Sequence, residues 1–200
     1  MMKYYQEITL VGDEKPFYEQ WSELYKQLHI ALADVKNKHG IDGIGVSFPN
    51  YRYEEKNGKT FATLGTKLRI FAQTAEELGC LKIENWLERL TDYVHIKPIR
   101  EVGNQATSYV VVRRYRDKDV TKQAENFADF KGISFQAALK HCREHKRAAK
   151  RYPFITLTSE TTKQPYQLLI QQESVDLPVL GKFGAYGVNK MASNTTVPNW

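Results

Sequence analysis

The sequence predicts an α+β fold with two domains. In the first half, segments that alternate apolar and polar residues are interrupted by segments with helical periodicity, in the order strand, helix, strand, strand, helix, strand. This order is typical of ferredoxin-like domains. The second half begins with a β-rich stretch and continues into basic helices. We therefore predict an N-terminal ferredoxin-like domain over residues 1–104 and a second α+β domain with basic helices over residues 105–200.

The first two elements have the clearest patterns. Residues 3–11 alternate and are rich in Tyr, Ile and Thr, which predicts a strand. A helix follows, with Pro16 in its first turn, where proline is favoured. Its apolar residues recur at helical spacing and predict a buried stripe of Phe17, Trp21, Leu24, Leu28, Ala31, Leu32 and Val35. His29 lies at the margin of this stripe.

The remaining elements of the first half are shorter. Residues 44–49 and 67–73 are predicted strands, and residues 74–81 and 84–94 are predicted helices. The polar segment 50–60 is predicted to be an exposed loop around its Asn-Gly pair.

The second half contains further strand signals. Residues 107–115 predict a strand, and residues 154–159 and 166–171 predict a hairpin. The segment from Gly181 onward is rich in turn residues.

Positive charge is concentrated between residues 111 and 151. This segment contains twelve Lys or Arg and five Asp or Glu, a net charge of +7, whereas the whole chain carries +6. The rest of the chain is therefore close to neutral. Such a concentration of cations in one part of a chain indicates a polyanionic ligand.

Residues 134–151 are predicted to form an amphipathic helix, which Ser134 caps after Gly132 ends the preceding element. Its predicted apolar face consists of Phe135, Ala138, Leu139, Cys142 and Ala149. Its predicted basic face consists of Lys140, Arg143, Arg147, Lys150 and Arg151. A solvated helix face would have the same pattern. The nearby residues Arg113, Arg114 and Arg116 add to the same positive field and favour nucleic acid.

Several classes of protein are not indicated. No apolar run approaches the roughly 20 residues that a membrane-spanning helix needs, and the N-terminal segment lacks the apolar core of a signal peptide. Cys80 and Cys142 have no paired spacing, so a disulfide framework is not expected and we expect a cytoplasmic protein. His141 and His145 flank Cys142 and could bind zinc, but a third ligand at suitable spacing is missing.

His29 is the strongest candidate for a catalytic group among the five histidines. A histidine beside an apolar stripe is more often a structural or surface residue. However, an ordinary imidazole, with a pKa near 6.5, is suited to take a proton from a ribose 2′-hydroxyl at neutral pH. The ribose can then attack its own phosphate, which requires neither a metal ion nor a protein nucleophile.

Three parts of the sequence resemble the CRISPR-associated endoribonucleases that process precursor CRISPR RNA in type I-F systems. QLHIAL around His29, followed by IGVSFP, resembles the N-terminal signature of that family. YVVVRRYR at residues 109–116 resembles its arginine-bearing linker strand, while FITLTSETT, FGAYGVNK and VPNW resemble its C-terminal half. The resemblance covers nearly the whole chain.

The resemblance implies a metal-independent endoribonuclease that uses no cofactor. It would cut RNA at the 3′ base of the CRISPR repeat hairpin, leave a 2′,3′-cyclic phosphate and stay bound to the hairpin. His29 matches the general base, Ser159 the serine that positions the ribose, and Tyr186 a tyrosine that orders the site. Other subunits of a type I-F guide-RNA surveillance complex are the implied protein partners.

The resemblance also implies RNA-binding residues in the second domain. Arg113 matches an arginine that reads a guanine edge, and Tyr166 an aromatic residue beneath the terminal base pair. Together with the charge pattern, it predicts an RNA-binding set of Arg113, Arg114, Arg116, Lys140, Arg143, Arg147, Lys150, Thr161, Thr162 and Tyr166.

Two departures from the family pattern stand out. The helix after the linker strand is arginine-rich in the better-known form, but residues 120–131 contain only Lys122 and Lys131 as cations. Groove contacts are therefore expected from Arg143, Arg147 and Lys150. In addition, Tyr115 stands where a base-reading glutamine is expected.

Two other functions are considered beside the endoribonuclease. They are a non-catalytic RNA-hairpin-binding subunit and a general RNA chaperone.

Overall fold

The computed structural model describes residues 1–116, 119–145, 150–190 and 192–200. It divides into two compact units: a main unit of Met1–Tyr115 with Tyr152–Trp200, and a helical unit of Arg116–Arg151. The α+β prediction is confirmed. Packing thus divides the chain after Tyr115 and after Arg151. The predicted domains 1–104 and 105–200 stay a prediction. No helix of the described residues is long and apolar enough to cross a bilayer.

The main unit contains three helices and eleven strands among its described residues. In chain order they are β1 (Tyr4–Leu10), α1 (Phe17–His39), β2 (Gly45–Ser47), β3 (Arg52–Lys56), β4 (Lys59–Thr63), β5 (Lys67–Ala72), α2 (Ala75–Leu81), α3 (Ile83–Trp86), β6 (Val94–Ile96), β7 (Arg100–Glu101), β8 (Ser108–Tyr115), β9 (Phe154–Thr158), β10 (Pro165–Val175) and β11 (Val197–Asn199).

The first sheet has the strand order β2-β5-β1-β6, and β7 also pairs with β1. All neighbouring strands of this sheet are antiparallel. Strand β5 lies between β1 and β2, and α1 connects β1 to β2. The predicted stripe of α1 is buried, with one exception. Phe17 is 46% exposed. Long helical side chains point back toward the N-terminus, and Phe17, as the first residue of α1, has no preceding turn to cover.

Two segments of the first half differ from the prediction. Residues 50–60 are not an exposed loop throughout, because β3 and β4 form a hairpin in this region. Asn57 and Gly58 both have positive φ, 53° and 73°, as a two-residue type I′ turn requires. The predicted helix 84–94 is limited to α3 and a 3₁₀ turn at Glu88–Leu90. Antiparallel pairing with β1 takes Val94 into β6 instead.

The second sheet has the strand order β11-β8-β10-β9. The predicted hairpin is confirmed as β9 and β10, in which Leu157 pairs with Tyr166. β8 is the predicted strand 107–115, and it pairs antiparallel with β10. Strand β11 was not predicted; it is a three-residue edge strand, which is where Pro198 is tolerated.

The helical unit consists of α4 (Val120–Lys131) and α5 (Phe135–Glu144). Gly132 ends α4 with a φ of 64°, and the Ser134 hydroxyl accepts from the N–H of Ala137 at 3.3 Å, so both predicted caps are confirmed. Alanines from both helices pack at the centre of the pair.

α5 is shorter than the predicted helix 134–151. It ends at Glu144, where the backbone N–H and Nδ1 of His145 both contact the carbonyl oxygen of His141. Phe135, which belongs to the predicted apolar face, is the first residue of α5 and is 38% exposed. Arg147 and Ala149 lie outside the described residues.

Candidate active site

A cleft of about 430 Å³ opens in the main unit between α1 and the second sheet. Its lining includes all three predicted catalytic residues: His29 from α1, Ser159 from the β9–β10 turn and Tyr186 from the segment after β10. Three predicted RNA-binding residues, Arg114, Thr161 and Tyr166, line the same cleft. The fold therefore brings together side chains that are far apart in the sequence.

The ring of His29 is held in one orientation. Its Nδ1 lies 2.7 Å from the carbonyl oxygen of Ala185. A carbonyl oxygen only accepts hydrogen bonds, so Nδ1 carries a hydrogen, and the neutral form of the ring has its lone pair on Nε2. The imidazole also stacks on the ring of Tyr186, with centroids 4.2 Å apart and planes 19° from parallel. This arrangement leaves Nε2 as the basic nitrogen of a half-buried histidine.

The segment that carries Tyr186 is held by contacts on both sides. The hydroxyl of Tyr25, which is fully buried, donates to the carbonyl oxygen of Tyr186 at 2.9 Å. Burial raises the pKa of Tyr25, so this donor stays protonated. Gly187 has a φ of +68°, and a Cβ at this position would lie 2.8 Å from Cγ1 of Val46. Asn189 is buried and its side chain donates to the carbonyl oxygen of Val112 in β8.

Tyr186 also belongs to a cluster with Tyr166 and Arg114. The two tyrosine hydroxyls are 2.6 Å apart. Burial and the hydrogen bond with Tyr186 raise the pKa of Tyr166 to about 12, so its hydroxyl is protonated at neutral pH. The guanidinium carbon of Arg114 lies 5.5 Å from the centroid of each ring. A stacking role for Tyr166 beneath a base pair stays a prediction.

Ser159 is positioned by the turn between β9 and β10. Its backbone N–H donates to the carbonyl oxygen of Gln164, and its carbonyl oxygen accepts from Lys163. Its Oγ accepts from the backbone N–H of Thr162 at 3.2 Å, and a hydroxyl that accepts can still donate its own hydrogen. Thr161 lines the cleft, whereas Thr162 contributes this backbone contact.

Arg113 and Arg114 lie on opposite faces of β8, as successive residues of a strand do. Arg114 faces the cleft. Arg113 instead donates to Glu173 at 2.7 Å and to Asn194 at 2.6 Å. In this structure the arginine predicted to read a guanine edge is therefore held by an acid and an amide of the same chain; its role in RNA stays a prediction.

The other predicted cations lie in the helical unit. Arg116, Arg143 and Lys150 are exposed, Lys140 is exposed with its Nζ 4.0 Å from Glu144, and Arg147 is outside the described residues. The ring of His141 stacks on those of Phe127 and His145. Within the residues that the structure describes, no three His, Cys, Asp or Glu side chains are grouped as metal ligands.

Two charged residues of the cleft were missed in the sequence: Lys26 and Glu160. Lys26 precedes His29 by three residues, a spacing that places both on one helix face and that could have identified it. Glu160 lies between two cations, 3.6 Å from Nζ of Lys26 and 2.9 Å from Nζ of Lys163. The hydrogen bond from Lys163 and the charge of Lys26 lower the pKa of Glu160, so it is ionised at neutral pH.

The cleft thus combines an oriented imidazole, a hydroxyl and cations, which together can deprotonate an alcohol beside a phosphate. Comparison with known proteins places the chain in a family. A family model described as CRISPR-associated protein (Cas_Csy4) matches residues 5–200. A CRISPR-associated endonuclease Cas6/Csy4 of Pseudomonas aeruginosa (strain UCBPP-PA14) is 30% identical over 191 residues, covering 94% of this chain and 96% of the relative.

A second relative, from Escherichia coli (strain UTI89 / UPEC), has the same description. It is 26% identical over 195 residues, covering 96% of this chain and 98% of the relative. The resemblance found in the sequence is confirmed. Since the family match extends over nearly every residue, the chain belongs to the Cas_Csy4 family of CRISPR-associated proteins.

Proposed function

We propose that this protein is a metal-independent endoribonuclease that cleaves precursor CRISPR RNA at the 3′ base of the repeat hairpin and stays bound to the product. The relatives described as CRISPR-associated endonucleases support the class of reaction. One observation carries the chemistry: Nδ1 of His29 donates to a backbone carbonyl, which leaves Nε2 as a base in the cleft that Ser159 also lines.

The proposed reaction is an internal transesterification. Nε2 of His29 takes the proton from the ribose 2′-hydroxyl, and O2′ forms a bond to the adjacent phosphorus. The bond from phosphorus to O5′ breaks, O5′ takes up a proton from water, and His29 releases the proton that it took to the solvent. The products are a 2′,3′-cyclic phosphate and a 5′-hydroxyl. Ser159 donates a hydrogen bond that holds the ribose, and stacking on Tyr186 keeps the imidazole in position.

Binding is proposed to depend largely on phosphate contacts. Arg116, Lys140, Arg143 and Lys150 are exposed in the helical unit, and we propose that they contact RNA phosphates. Affinity should therefore decrease steeply with salt concentration. We also propose that the first sheet, in which β5 lies between β1 and β2, is the ferredoxin-like part of the protein. Subunits of a guide-RNA complex are the proposed protein partners.

Incubation of the protein with a repeat hairpin in excess chelator tests this function. We expect cleavage at one site, with a cyclic phosphate on the upstream product. A 2′-deoxy substitution at the attacking ribose should abolish cleavage because it removes the nucleophile. Dependence on an added divalent ion, or a 3′-hydroxyl product, would contradict the mechanism. Tight hairpin binding without any product would instead identify a non-catalytic hairpin-binding subunit.

The Glu160→Gln variant is expected to bind the hairpin more tightly. The carboxylate of Glu160 lines the cleft and engages Lys26 and Lys163. Removal of this charge takes away repulsion toward phosphate and releases the two lysines. Because the carboxylate of Glu160 is at the surface, the expected increase in hairpin affinity at low salt is only roughly two- to fivefold. Titration of labelled hairpin at two salt concentrations checks this; equal or weaker binding by the variant would exclude the repulsion.

A further inference from the structure

Arg114 lines the cleft but has no role in the reaction proposed above. Alternation along β8 directs it toward the cleft lined by His29 and Ser159, while Arg113 is directed to the other face. The side chain of Arg114 is half-buried. A cation in such a place is partly removed from water, so its field on a nearby anion is stronger than that of an exposed cation.

The guanidinium is oriented by two aromatic rings. Its carbon lies 5.5 Å from the centroids of both Tyr166 and Tyr186, whose hydroxyls are 2.6 Å apart. Contact with a ring face attracts the cation and restricts where it lies. These rings therefore help to fix the place of the guanidinium beside the cleft.

Tyr186 contacts both Arg114 and the proposed general base, His29. The ring of Tyr186 stacks on the imidazole of His29 at 4.2 Å and also contacts the guanidinium. A ribose whose 2′-hydroxyl reaches His29 has its own 3′-phosphate within a few bonds. The phosphate that reacts is thus brought to the region where Arg114 is held.

The reaction needs a cation at this place. When O2′ attacks, negative charge grows on the two non-bridging oxygens of the phosphate, and fixed donors in a partly dry site stabilise such charge. Lys26 also lines the cleft, but its side chain is 52% exposed and lies 3.6 Å from Glu160. A flexible, solvated ammonium is less suited to this role than an oriented guanidinium.

We propose that Arg114 is a further catalytic residue, which donates to a non-bridging oxygen of the scissile phosphate and stabilises the transition state. This inference rests on the proposed ribonuclease function. It assigns to the cleft the electrostatic stabilisation that a base and a hydroxyl alone do not provide. The ring faces of Tyr166 and Tyr186 act as the support that positions the guanidinium.

Single-turnover cleavage at saturating protein tests the proposal. We expect Arg114→Ala to lower the rate constant by about 100-fold, as removal of one transition-state donor does. Arg114→Lys should recover part of this loss because it keeps a charge. Hairpin affinity, measured with the uncleavable 2′-deoxy hairpin, should change by less than about threefold. Arg89→Ala, an exposed arginine outside the cleft, is the matched control and should cleave like the wild type.

A phosphorothioate substrate separates contact from structural support. Replacement of one non-bridging oxygen by sulfur should slow the wild type in one stereoisomer, and this effect should disappear in Arg114→Ala. If the alanine variant does not fold, Arg114→Gln is judged by the same two criteria. A rate within about threefold of the wild type, or an unchanged sulfur effect, would overturn the role of Arg114. Absence of cleavage by the wild type would instead refute the proposed function.

Discussion

His29→Ala is expected to lower the single-turnover rate of hairpin cleavage by about a thousandfold or more, within the range that general base catalysis contributes together with positioning. The substitution removes the only group that the mechanism uses to take the 2′-hydroxyl proton. Affinity for the hairpin should change by less than about threefold, since phosphate contacts elsewhere dominate binding. Quenched time courses with labelled hairpin, together with titration of the 2′-deoxy hairpin, measure both quantities.

His39→Ala is the matched control for this experiment. His39 is the exposed last residue of the same helix and does not line the cleft. We expect the His39→Ala variant to cleave at the wild-type rate.

Free imidazole should restore part of the activity of His29→Ala, because alanine leaves space for the small base. Cleavage by His29→Ala within about tenfold of the wild type would remove the histidine from the mechanism.

Glu7→Ala is expected to lower the free energy of unfolding by about 3–5 kcal/mol, the usual effect of breaking a buried ion pair. Glu7 is 3% exposed in β1. Its carboxylate accepts from Arg69 at 2.8 Å, Lys97 at 2.7 Å and Lys67 at 3.4 Å. Removal of the acid leaves Arg69, which is itself buried, without its counterion, although its Nη1 still contacts the carbonyl oxygen of Trp200.

Urea unfolding at neutral pH measures this effect, and Glu88→Ala is the control. Glu88 is exposed in the 3₁₀ turn before β6, so its substitution should change the unfolding free energy by less than about 0.5 kcal/mol. Equal effects of the two substitutions would show that the ion cluster does not stabilise the fold.

The same cluster predicts a loss of stability in acid. Burial alone would raise the pKa of Glu7, but hydrogen bonds from Lys97 and Arg69 lower it to about 2 from the ordinary 4.5. A lowered pKa means that the stabilisation is present above pH 4.5 and is lost as the pH falls toward 2. The contribution is about 3 kcal/mol. In Glu7→Gln this part of the acid dependence should be absent; an unchanged pH profile would contradict it.

The regular elements were predictable where local pattern and tertiary packing agree. Strands β1 and β8 have strong signals and were found close to the predicted bounds, and α1 contains the whole predicted stripe from Phe17 to Val35. The segment 84–94 was predicted as one helix because its apolar residues have helical spacing. Pairing with β1 takes its end into a strand, which local spacing cannot show. The β3–β4 hairpin was missed although its Asn-Gly turn was visible in the sequence.

The sequence by itself determined the family, the concentration of positive charge and the residue types from which a ribonuclease site can be built. Only the tertiary structure decided how these groups are used. Arg114 rather than Arg113 faces the cleft, because the second sheet packs against α1 through β9 and thereby selects which of its faces lines the cleft. The orientation of His29 depends on the carbonyl oxygen of Ala185, which is 156 residues away in the chain. Contacts over such distances follow from how strands and helices pack, and no local pattern of residues encodes them.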